Sequence, residues 1–340
     1  MAAINKEQLI VSVSPHIKSE ETTSRIMWTV SAALLPATLM GAYFFGPKAI
    51  CNVAIAIIAA VLSEYFFQKS LNRKVTIGDG SAFLTGLLLG MNLPASVPFY
   101  IPILGSVMAV LITKQLFGGL GFNVFNPALI GRAFLLISFP KLMTIWNEPT
   151  AAFTGLDAKT TATPLGVLKE EGFAKLIELF GDQANLYTQL LVGHRAGSIG
   201  ETSVIALLIG AAFLMFRGYI SWHIPVSFLG SAAAMAWIFG QKGALFAGDP
   251  IVHLLSGGMI LGAFFMATDY VTCPSIKRGQ IIFGIGCGVL TMLIRLKGGF
   301  PEGVMFAILI MNCFSPLIDR GFRSKVFGAV KAGKPKEVKA

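Results

Sequence analysis

Charge is scarce in this chain. Asp, Glu, Lys and Arg together make up 13% of the 340 residues while 54% are hydrophobic, against about a quarter charged in a soluble domain, which excludes an ordinary water-soluble fold. Cysteine is scarce as well. The four, at 51, 273, 287 and 313, show no CxxC and no Cys/His ligand spacing, which argues against a disulfide frame, a metal site or iron–sulfur ligation and leaves them as small apolar residues. His16, His194, His223 and His253 have no helical pairing and no acidic partner at ligand spacing, so no metal is expected. The first 25 residues lack a long apolar core and a small-residue cleavage site, and no cleaved signal peptide is expected. Ser-His-Asp and P-loop patterns are missing too. The string GIGCG at 284–288 lies inside an apolar run with no strand before it, which removes a dinucleotide reading. Any chemistry must therefore come from a bound cofactor.

What is present is apolar sequence in long runs, and the mean hydropathy of +0.72 reads as an all-α, multi-spanning membrane protein. Ten spans are expected, at 26–45, 49–67, 80–93, 97–113, 121–139, 203–216, 219–239, 250–268, 279–295 and 301–317. With both termini cytoplasmic, the short loops and tails on that side hold 17 Lys and Arg, Lys114 among them, and the opposite loops hold only Lys48, Lys242 and Lys297. That bias explains most of the net charge of +10 as a topology signal and leaves nucleic-acid binding without support. It also places the one long polar stretch, 140–202, outside the cytoplasm. The chain then divides into a cytoplasmic N-terminal segment (1–25), a five-helix unit (26–139), the extracytoplasmic loop (140–202), a second five-helix unit (203–317) and a basic cytoplasmic tail (318–340).

The two units are related. LITKQLFGGLGFNVFNPALI (111–130) is weakly similar to LIRLKGGFPEGVMFAILI (293–310), and Gly118, Gly119 and Pro94 pair with Gly298, Gly299 and Pro274 at one offset of 180. Five spans is an odd number, so two such copies lie inverted in the bilayer, an arrangement that puts sites at the interface between the halves, beside short or interrupted spans. Span three is short and carries Gly86 and Gly90, span eight carries Gly258 and Gly262, and span five is interrupted at Asn126 and Pro127. Glycines at this spacing also serve plain helix packing. Polar residues gather beside them: Asp79, Asn92, Asn123, Asn126, Arg132, Thr268 and Asp269. Glu64 alone among the acids falls well inside an apolar run, where a carboxylate is expensive.

Within the polar stretch, DAKTTATPLGVLKEEG (157–172) predicts a short helix with Thr163 as N-cap, Pro164 at its first position and Gly172 as its stop. The same geometry sets the Thr163 hydroxyl at the positive end of a helix, beside free N–H groups, where a phosphate is stabilised. The residues alone support both a cap and an attachment point.

SPHIKSEETTSRIMWTVSAALLPA, GDGSAFLTGLLLGMNLP, GGLGFNVFNPALIGRAFL, FMATDYVTCP and IRLKGGFPEGVMFAILIMNCFSPLIDR closely resemble the D subunits of Rnf complexes, membrane-bound ferredoxin:NAD oxidoreductases. They are also similar to the related B subunits of sodium-translocating NADH:quinone oxidoreductases. Those B subunits usually carry a longer N-terminal extension, so the Rnf D branch is favoured. The resemblance covers nearly everything except the Lys-rich tail. It implies FMN joined to a threonine through a phosphoester in an [S/T]-x-A-T motif, which here is Thr160-Thr161-Ala162-Thr163, with Thr163 as the attachment site and Asp157 as the upstream acid. It also implies a second, non-covalent flavin (riboflavin) near Asn123 and Asn126, whose amides suit a uracil-like ring edge; a helix cap is the competing reading of Asn126. Asp319, in the PL-[IF]-D segment, is the implied residue of an ion pathway, against an interfacial ion pair with Arg320 or Arg323.

The function implied is a membrane subunit of a redox-driven ion pump. It carries electrons between ferredoxin and NAD, coupled to sodium or proton translocation, without itself binding NAD. The implied partners are the other membrane subunits of the complex, its second FMN-bearing subunit, its iron–sulfur subunits, the lipid bilayer and, transiently, a flavin-attaching enzyme. A flavin-free secondary transporter and the quinone-reducing B subunit are the alternatives.

Overall fold

The computed structural model describes residues 21–149, 161–240 and 245–322. Among these there are helices and turns but no strands, and the single bridge, Pro94 to Ser198, joins two loops. The first series of helices is α1 (Thr23–Phe45), α2 (Pro47–Ser70), α3 (Ser81–Met91), α4 (Tyr100–Val107) and α5 (Pro127–Ser138), followed by the short α6 (Pro140–Met143). Three small helices come next: α7 (Pro164–Glu170), α8 (Phe173–Phe180) and α9 (Gln183–Val192). The last series is α10 (Val204–Phe216), α11 (His223–Phe239), α12 (Pro250–Leu255), α13 (Met259–Leu261), α14 (Lys277–Lys297) and α15 (Val304–Gly321).

Among the described residues, α1, α2, α14 and α15 are long and apolar enough to cross a membrane, and this is a membrane protein. Shorter apolar helices stand at Ser81–Met91, Tyr100–Gln115, Pro127–Ser138, Val204–Phe216 and His223–Phe239. Turn chemistry sets the ends. Gly46, at φ 76°, reverses the chain between α1 and α2 in one residue, and Pro47 opens the second helix. Asp249 caps α12 by accepting from Ile251 and Val252 N–H at 2.8 and 3.4 Å, and Tyr187 on α9 donates to the same carboxylate at 2.5 Å. That bond ties the small helices to the second series. Their own core of Val167, Leu176, Leu186 and Leu190 closes on Val252 of α12.

Three expected spans are drawn differently. The span expected at 97–113 runs on to Gln115, its last turns, Met108–Gln115, wound as π-helix. This corrects Lys114, read as a loop cation: it is 1% exposed and its ammonium meets both oxygens of Glu64 at 2.9 and 2.8 Å. The span expected from 121 begins only at Pro127. The span expected over 250–268 is interrupted: α12 stops at Leu255, Ser256–Gly258 breaks it, and the chain resumes as α13 and a π-helical turn, Gly262–Met266. The Gly86 and Gly90 pair serves packing, since a methyl at either would stand 2.6 or 2.9 Å from an α2 Cα atom.

Candidate functional site

Breaking a helix inside an apolar core frees carbonyls at one end and N–H groups at the other, and each must find a partner. Two arginines cover the carbonyl end of α12. Arg195 donates to Leu255 O and, at 2.5 Å, to Glu201 O, while Arg295 on α14 donates to His253 O and Ser256 O at 2.5 and 3.0 Å. Both are nearly fully buried, at 4% and 3% exposure, so their charges sit at the negative end of a helix where the dipole favours them. Gly257, at φ 66°, makes the turn, and its missing side chain leaves room for the Arg295 guanidinium, the Glu302 carboxylate and Leu165 of α7. At the far side of the break a methyl on Gly258 would lie 3.0 Å from the Glu201 carboxylate, which stands at the N-terminal end of the resumed helix.

Glu201 reaches this point because Ile199 N–H donates to Leu93 O at 3.1 Å, pinning the 198–201 segment to the end of α3. Arg132, one and a half turns into α5, collects the remaining charges: it donates to Glu302 at 2.5 Å, to Asn92 at 2.6 Å and to Glu201 at 3.4 Å. Burial and the nearby Glu302 push the Glu201 carboxyl up to about 8. Of this cluster, sequence reasoning singled out Asn92 and Arg132 and missed Arg195, Glu201, Arg295 and Glu302. The signal available was Ser256-Gly257-Gly258 in mid-span together with charged residues at the neighbouring span edges.

Thr163 stands where the sequence predicts. It is the N-cap of α7, its hydroxyl accepting from Gly166 N–H at 3.1 Å, and Pro164 is the first helical residue. Thr163 is 7% exposed and Thr161 and Ala162 beside it are exposed, so a group joined to the hydroxyl has an approach from that side. The hydroxyl at the start of the helix and the exposed residues before it fit a phosphoester, although Gly166 N–H and Val167 N–H already bond to Thr163 itself. Asp157 and Thr160 lie outside the described residues. Lys169 on α7 donates to Gly298 O and, at 3.0 Å, to Phe300 O, which fastens this helix to the turn that carries Glu302.

Asn123 and Asn126 line one cavity, of about 80 Å³, with Lys114, Thr268 and Asp269. Asn126 acts as a cap: its carbonyl accepts from Ala128 and Leu129 N–H at 3.1 and 3.4 Å and its amide donates to Met266 O at 3.3 Å. Asn123 keeps a buried side-chain oxygen without a partner, a suitable acceptor for a ring N–H. The space is far smaller than the roughly 300 Å³ of the smallest usual ligand pockets, so this conformation does not accommodate an isoalloxazine. Asp319, at the other end of α15, accepts from Ser275 N–H at 3.2 Å with each oxygen and makes no ion pair with Arg320; Arg323 lies outside the described residues.

Fold and site together define a helical membrane protein with an interrupted helical segment, 250–266, whose broken ends are covered by buried charge, and a small helical cap docked on the break. The chain belongs to the NQR2, RnfD, RnfE family, whose model matches residues 10–328. It is 51% identical to the D subunit of the proton-translocating ferredoxin:NAD(+) oxidoreductase complex of Clostridium ljungdahlii, over 96% of this chain and 98% of that one. It is 46% identical to the D subunit of the Na(+)-translocating complex of Acetobacterium woodii, over 99% and 100%. To the D subunit of an ion-translocating oxidoreductase complex of Cronobacter sakazakii it is 39% identical, over 94% and 98%.

Proposed function

We propose that this chain is a membrane subunit of an ion-translocating ferredoxin:NAD oxidoreductase complex, carrying electrons through FMN held on Thr163 and coupling them to sodium or proton movement. Near full-length similarity to subunits so named supports the complex. The Thr163 hydroxyl, set at the start of α7 with Gly166 N–H beside it, is the observation that carries the FMN site. Flavin joined there supplies electron transfer. The chain's own part is to hold that helix: Leu165 rests against Gly257 and Lys169 grips Gly298 and Phe300, so Thr163 is fixed relative to the buried charges.

The same reading takes the four long helices, the five shorter ones and the interrupted 250–266 segment as ten spans in two inverted halves. Both termini are then cytoplasmic and 140–202 is outside; with Lys114 buried, the basic bias is 16 against 3. Asp319 keeps its place as an ion-pathway residue in this reading. Riboflavin near Asn123 needs the cavity to open. The partners are the remaining subunits of the complex and a flavin-attaching enzyme. The test is in-gel flavin fluorescence of the denatured chain after expression with that enzyme. A fluorescent band lost in Thr163→Val supports the reading, and a dark wild-type band favours the flavin-free transporter.

A further inference from the structure

Buried polar atoms without a protein partner gather around the break. Among the described residues nine such side-chain atoms occur, and four of them belong to Ser198, His253, Ser256 and Arg295, whose exposures are 0, 5, 0 and 3%. Hydroxyls and ring nitrogens held this deep are satisfied by internal water wherever protein groups do not reach them. The charges beside them are also uneven. Two carboxylates, Glu201 and Glu302, touch a single guanidinium, Arg132, while Arg195 and Arg295 spend their hydrogen bonds on the carbonyls of the broken helix.

The two carboxylates stand close together and are unequally paired with Arg132, and the distances say which of them holds a proton more readily. Glu302 has the short bond, 2.5 Å, and a side chain 17% exposed; Glu201 has the long one, 3.4 Å, and a side chain 1% exposed. Like charges sharing a site cannot both stay ionised cheaply, and the more buried, worse-paired member takes the proton. We propose that Glu201 is a proton-carrying carboxyl, taking up and releasing one proton through water held by Ser198, His253 and Ser256 in the break of the span.

On loading, a hydronium ion in that water gives its proton to a Glu201 carboxylate oxygen and is left as water. Arg132 then keeps Glu302 and Asn92 as its partners. On unloading, the proton returns to the water and the carboxylate turns back toward Arg132. The groups that set the exchange are Arg132 from α5, Arg195 from the segment before Glu201, His253 from α12, Arg295 from α14 and Glu302 from the turn before α15. Burial raises the Glu201 carboxyl to about 8, in keeping with exchange near neutral pH. The use of this proton in translocation rests on the function proposed above; the site itself does not.

The test is an infrared pH titration of the full chain in lipid nanodiscs. In the wild type, one carboxyl should lose its protonated C=O stretch at a midpoint far above the ordinary glutamate range. Glu201→Gln should abolish that loss. Glu302→Gln should keep it and move the midpoint down, because Arg132 is then free to pair with Glu201. If Glu201→Gln fails to fold, Glu201→Asp should retain the titration with a shifted midpoint. A signal unchanged in Glu201→Gln or Glu201→Asp, or one driven by sodium at fixed pH, overturns the proposal. Flavin fluorescence measured alongside separates the two readings: a dark chain that still titrates sinks only the flavin, and a fluorescent chain that does not titrate sinks only Glu201.

Discussion

Arg132 and Glu302 lie 170 residues apart and meet at 2.5 Å, so that α5 of the first helix series is locked to the turn that opens α15 of the second. The bond is largely buried and Glu201 shares its guanidinium, which makes Arg132 the joint on which both halves and the segment before α10 converge. Removing one partner of such a group leaves the others charged without compensation. Arg132→Met should lower stability by about 3–5 kcal/mol, and Arg132→Met combined with Glu201→Gln and Glu302→Gln should recover part of the loss. Thermal unfolding in detergent, followed by helical circular dichroism, reads both.

Glu64 and Lys114 pose the same question at the other cluster. They are 0% and 1% exposed, with Gln115 and Ser81 completing their hydrogen bonds at 2.8 and 2.6 Å. Lys114→Met alone should cost about 3–5 kcal/mol. Lys114→Met with Glu64→Leu, by removing both charges, should cost much less, as the difference between single and double variants in a melting series will show.

Stability should depend on pH through Glu201. Its folded carboxyl lies at about 8, above the ordinary 4.5, so the folded state holds a proton that the unfolded state has lost between those values. The contribution is complete below about pH 4.5 and disappears as pH rises through about 8, at a slope of about 1.4 kcal/mol per pH unit. Melting temperature across that window should fall in the wild type and flatten in Glu201→Gln.

Thr163→Val removes the cap and, with it, the proposed attachment point. The lost bond to Gly166 N–H should cost about 1 kcal/mol, too little to unfold a helix that Leu165 and Lys169 hold in place. Covalent flavin should vanish while the chain still enters the membrane and assembles; retained fluorescence would move the attachment to Thr160 or Thr161.

Much of this arrangement was legible in the sequence where the cause is local. Thr163, Pro164 and Gly172 define α7 because caps and stops act over a single turn, and Asn126 announces α5 for the same reason. Glycines 86 and 90 announced close packing because only a missing side chain lets backbones approach. What stayed hidden is long-range. Nothing near Glu201 says that Arg132 or the turn of Glu302 will meet it, since those partners come from elements brought together by packing. Lys114 reads as a loop cation from the charge pattern alone, but the π-helical turns Met108–Gln115 extend the helix and carry its ammonium inward to Glu64. The break of span eight showed only as Ser256-Gly257-Gly258, three residues that elsewhere serve helix contacts.

The central claim, that Thr163 carries a redox group, is tested most directly by mass spectrometry of the peptide containing Thr163, taken from protein expressed with the flavin-attaching enzyme. That peptide should be heavier by the mass of FMN less one water, with fragmentation placing the addition on Thr163. An unmodified Thr163 peptide at full occupancy would contradict the claim.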